Sequence, residues 1–233
     1  MLKKSTKMWG FLLLILVLVV LIAGKSKENI VTDCGLAEAT TWEELTKLNI
    51  LIKDASDVII GEERETETYQ MLVEHEDDFL DLLSEVPMIA IVSPLNQLEY
   101  NSDTIGQKVL IENVLQGDQK KNGTIGMVYQ YGAFGIENGK PICKQGNTFM
   151  NPKEKYLLFL KPSTLNEIWE KEVYYIDPIW FPFLSLNKEI PLLEKKEYYN
   201  FNEINGIGVP SNSKQIVEQM NKIRRKILEY YSL

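Results

Sequence analysis

Histidine, cysteine and arginine are scarce in this chain: one, two and three residues among 233. His75 stands in Glu74-His-Glu-Asp-Asp78, with Asp81 beyond, the only place where imidazole and carboxylates cluster. Zinc would require a second strong ligand at i+4, and a calcium loop would require spaced acids around a glycine turn. Neither pattern is present, so the stretch reads as a solvated acidic helix face, and the expectation is no metal and no cofactor. Cys34 and Cys143 are isolated and far apart; they admit a disulfide, which spacing alone cannot establish. Glycine-rich loops joining a strand to a helix are also missing, which disfavours nucleotide binding. Basic charge is short as well, with 25 Lys and Arg against 33 Asp and Glu and a formal net charge of −8. Because the first 24 residues hold three lysines and no acid, the remainder carries −11. Phosphates demand a basic face, so this balance argues against nucleic acid and against adhesion to anionic headgroups.

What the chain has in quantity is apolar side chain, 45% of all residues, enough for one ordinary core or two small ones. Part of it is concentrated at the start. Lys3, Lys4 and Lys7 precede Trp9 to Gly24, sixteen residues without a charge, and Lys25, Lys27 and Glu28 mark the return to water. As a helix rising about 1.5 Å per residue the run covers roughly 24 Å, extendable by Met8 and by snorkelling lysines, so it meets a membrane. The leading lysines favour a cytoplasmic start and an exported body. Ile22-Ala23-Gly24 makes a poor cleavage site, which predicts a retained single-pass anchor with the body extracytoplasmic; cleavage and secretion are the alternative. Cys34 follows the run by ten residues, behind Thr32-Asp33, which is not the lipoprotein pattern.

The division expected is residues 1–24 as anchor or signal, 25–39 as spacer, 40–87 as a helical and mixed lead-in, 88–187 as a β-barrel, and 188–233 as a linker with a C-terminal helix. Thr41-Trp-Glu-Glu44 is a capping-box pattern, followed by Trp42, Leu45, Leu48 and Ile52 at helical spacing. Val58 to Gly61 reads as a short strand, and Tyr69 to Val86 as a helix stopped by Pro87, with a strand at Thr66 to Val73 as the alternative for its first part. Short apolar runs at Met88–Val92, Lys108–Leu115, Thr124–Tyr131, Tyr156–Leu160 and Glu172–Ile176 then read as core strands, with Ser93-Pro94 ending the first. Between Gly132 and Asn151 the expectation is a long loop, and between Asn202 and Pro210 a linker. Ser213 caps a last helix with Ile216, Met220, Ile223 and Ile227 on one face, while Lys222, Arg224, Arg225 and Lys226 find partners within the molecule.

The order of these strands, with Val109-Leu-Ile-Glu-Asn-Val-Leu-Gln-Gly-Asp118 and Pro152-Lys-Glu-Lys-Tyr-Leu-Leu-Phe-Leu160 at its centre, resembles the five-stranded OB-type barrels of bacterial exported proteins. More remotely it is similar to the netrin-like and metalloproteinase-inhibitor barrels. The resemblance covers residues 86 to 187 and implies an α+β protein: a small antiparallel OB-like β-barrel with flanking helices and an N-terminal membrane helix. Those inhibitors chelate metal through a free amino-terminal cysteine, and Cys34, behind a membrane segment and a spacer, does not match it.

An anchored barrel with His75 and a later Cys143 also invites comparison with sortases, the cysteine transpeptidases. Pro141-Ile-Cys-Lys144 departs from their Thr-Leu-x-Thr-Cys pattern, and no arginine follows Cys143 closely to stabilise an oxyanion. The expectation is therefore a non-catalytic binding or scaffolding module at the outer face of a bacterial membrane; an enzyme of unrecognised type, remotely sortase-like, is the alternative. Its partner would be a protein or another cell-surface ligand. Ile179-Trp-Phe-Pro-Phe-Leu184 gathers large apolar side chains around a proline and reads first as a plug of the barrel end. If it is instead exposed, Trp180, Phe181 and Phe183 are the contact residues, together with the loop from Gly132 to Asn151.

Overall fold

The structure, a computed structural model, describes residues 35–56, 79–101, 104–130, 134–137, 139–143, 148–164, 166, 172–176 and 183–233. Trp9 to Gly24, Cys34, Val58 to Gly61, His75, Trp180 and Phe181 lie outside these residues. No helix among the described residues is long and apolar enough to cross a membrane.

Five strands close a barrel: β2 (Met88–Asn101), β3 (Thr104–Gln116), β4 (Ile125–Tyr129), β7 (Tyr156–Pro162) and β8 (Val173–Ile176). Around the ring the order is β2, β3, β4, β8, β7 and back to β2. The expected antiparallel barrel is corrected at one seam, because β4 and β8 run parallel, Met127 opposite Val173 and Tyr129 opposite Tyr175. β9 (Leu184–Ser185) continues alongside β7. The fold class is α+β, with a mixed barrel and few helices.

The barrel strands read as continuous apolar runs because β2 and β7 are buried on both faces. Met88, Ala90, Val92, Tyr156, Leu158 and Leu160 point inward to Val109, Ile111, Val128 and Tyr174. The alternate residues Ile89, Ile91, Leu157 and Phe159 point outward into a second cluster, under the apolar side of α4 (Lys214–Tyr230). That side carries Ile216, Met220, Ile223 and Ile227, as their spacing predicts, with Ser213 as the cap. Each such side chain removed from water stabilises the fold by about 2 kcal/mol. Arg224, also buried, donates to the carbonyls of Ser185 and Leu186 at 2.9 and 2.7 Å, fastening α4 to the β9 turn.

Pro94 does not end β2. Pro94 opposes Val109 and Leu98 opposes Gln107, so Leu95 to Gln97 bulge out of the ladder, where a missing N–H costs little. The bulge is used: Asn96 accepts from the Trp42 amide at 2.7 Å, and Leu98 N–H donates to Thr40. This seats α1 (Trp42–Leu45), whose capping box is formed as expected. The helix is shorter than its periodicity suggests, because Asn49 turns the chain at φ 49° and Ile52 enters a strand, β1 (Leu51–Lys53).

The expected long loop is also corrected. Within it, β5 (Phe134–Glu137) and β6 (Lys140–Cys143) pair antiparallel, and Gly139 turns at φ 74°. They join β1 and β10 (Tyr198–Asn200) in a second sheet, ordered β10, β1, β6, β5. α3 (Phe201–Ile204) follows β10 and takes up the first residues of the expected linker, whose remainder to Pro210 is irregular, and α2 (Phe79–Glu85) precedes the barrel. The third cluster, with Leu45, Ile52, Cys143, Phe149, Tyr199 and Phe201, joins this sheet to Leu98 and Ile105 of the barrel.

Candidate functional site

Phe183 lies 1% exposed inside the barrel, its ring edge-on to Tyr156 at 5.0 Å. A Cβ added at Gly208 would stand 2.2 Å from the Phe183 carbonyl oxygen, and one at Gly206 would stand 2.8 Å from the Tyr156 hydroxyl. Phe183 is thus buried in the barrel core and offers no surface to a ligand, while Ile179 to Pro182 of its segment lie outside the described residues. Phe149 and Met150, from the stretch read as a recognition loop, are buried too, and Gln107 holds Met150 by accepting from its N–H at 3.0 Å and donating to its carbonyl at 2.6 Å. Cys143 is fully buried in the second sheet.

The interior is filled by side chains and α4 lies over β2 and β7, whereas the outer face of β3 and β4 carries partly exposed apolar side chains among the described residues. Leu110 faces Ile125 across this pair, Lys108 faces Met127, and Gly106 faces Tyr129. Ile125 is 49% exposed, Leu110 and Met127 are half-buried, and none of the three belongs to a buried cluster. Gly106 is needed beneath the Tyr129 ring, where a Cβ would come within 2.7 Å. Tyr129 in turn lies 6.1 Å from the Tyr175 ring and donates to Glu99 at 3.1 Å. Burial first, and then the Glu99 carboxylate, push the Tyr129 hydroxyl up, so it stays a neutral donor.

Charges at the rim of this face are tied down. Lys121 pairs with Glu172, Lys155 with Glu112, and Lys108 donates to Gln97 at 2.7 Å. The Glu112 carboxylate, held by Lys155 and by the Ser93 hydroxyl at 2.5 Å, lies below the usual Glu range. What the face presents is a strip of aliphatic and aromatic side chains, Leu110, Ile125, Met127 and Tyr129, with the Lys108 ammonium among them held by Gln97.

A second polar cluster is centred on buried Asp54. Asp54 accepts from the Ser56 and Asn212 amides and from the Tyr199 hydroxyl at 2.8, 2.9 and 2.8 Å, while Ser56 and Ser211 share a hydrogen bond of 2.6 Å. Burial and then the Asp54 bond push Tyr199 up to about 12. The Asn212 and Ser211 contacts join the stretch after β1 to the start of α4, and the Tyr199 contact joins it to β10, which makes the cluster a latch between elements.

Among the described residues no group of three or more His, Cys, Asp and Glu could hold a metal. His75, Cys34, Trp180 and Phe181 lie outside the described residues. Leu110, Ile125 and Met127 were missed in the sequence because their runs read as core, and the inward neighbours Val109, Ile111 and Val128 are apolar too. No family model matches the chain, and neither curated proteins nor solved structures yield a match.

Proposed function

We propose that the protein is an OB-type binding module, non-catalytic, held by its amino-terminal apolar segment at the outer face of a bacterial membrane. The outer face of β3 and β4 is its contact surface. The observation that carries this reading is exposed Ile125 flanked by partly buried Leu110 and Met127, on a barrel whose other flank is covered by a helix. In chain order the ring runs first, second, third, fifth, fourth strand, with third and fifth parallel. That arrangement supports the OB-type reading, and barrels of that type use the face of their second and third strands, β3 and β4 here. The net charge of −8 disfavours polyanions, which leaves a protein or an uncharged cell-surface ligand such as an oligosaccharide. Trp180 and Phe181 follow Tyr175 by only a few residues and remain candidates for the same surface.

Photo-crosslinking in intact cells tests it. A photoreactive residue at Ile125 or Met127 of the full-length chain is expected to yield a defined adduct, and one at exposed Lys214 on α4 is not. Equal labelling from all three positions would defeat the assignment. Loss of the Ile125 adduct in a folded His75→Ala or Cys143→Ser variant would revive the enzyme reading instead.

A further inference from the structure

We draw no further inference here: the strongest candidate, the outer edge of β5 in the second sheet with Ile136 37% exposed on it, carries nothing because no feature of the structure shows what would cover it.

Discussion

Gln107, Asn166 and Asn221 do the same unusual job. Each side-chain amide accepts from one residue's N–H and donates to the same residue's carbonyl, at Met150, Val173 and Ile190 respectively. A single amide thereby stands in for a strand where no strand can reach. Replacing Gln107, 1% exposed, by Leu would leave a buried N–H and a buried carbonyl without partners. At about 1–3 kcal/mol for each such group, the expected loss is at least 2 kcal/mol, read from the denaturant midpoint. Gln130 is the opposite case: it is 7% exposed, and among the described residues its Oε1 has no hydrogen-bond partner. Gln130→Met should therefore leave stability unchanged or raise it by about 1 kcal/mol. A large loss from Gln130→Met with none from Gln107→Leu would show that the two amides had been read the wrong way round.

Ion pairs tie elements together rather than making a site. Lys121, in the turn after β3, reaches Glu172 at the head of β8, whose backbone carbonyl already accepts from Met127 of β4. The Lys121 ammonium, and then the Tyr174 hydroxyl, hold the Glu172 carboxyl below its ordinary value of 4.5. A carboxyl held low in the folded chain stabilises above the unfolded value and loses that contribution as pH falls through the folded one. Glu172→Gln should accordingly flatten the decline in stability as pH falls below 4.5, as measured by urea midpoints across that range; an unchanged slope would mean that the pair is screened out. At this scale much was legible in the sequence. Lys108–Leu115 and Tyr156–Leu160 are apolar runs of strand length, and both lie in strands; Ser213 with its apolar stripe marked α4. The hairpin of β5 and β6 was not, although Asn138-Gly139 is a turn signal, because strands of four residues have almost no periodicity to read. β2 was cut short for another reason: Pro94 says only that a ladder hydrogen bond is missing, and a bulge satisfies that without ending the strand. The β3 and β4 face was illegible because a residue pointing into a barrel and one pointing out of it are both apolar here.

The whole molecule has a barrel in the middle of its sequence and a second sheet assembled from what surrounds and interrupts it. β1 comes from before the barrel, β5 and β6 from inside it, and β10 from after it. A chain stopped after Glu197 keeps every barrel strand but loses β10, α3 and α4, exposing Ile89, Ile91, Leu157 and Phe159. Such a chain should lack a cooperative unfolding transition; a sharp transition would show that the barrel folds alone. The amino-terminal segment is tested separately by mass spectrometry of the protein from membranes, with an intact amino terminus expected and a mature chain beginning near Lys25 as the opposing outcome. The scattered origin of the second sheet also sets a clock. Long-range pairings wait for their last member, and here residue 52 waits for residue 199, its partner in the ladder. A chain threaded across a membrane from its amino terminus would thus have most of its length on the far side, unable to complete its folding, until its final seventh or so began to emerge. Until that moment it would remain slack enough to keep moving through the pore and open to any chaperone or protease waiting there.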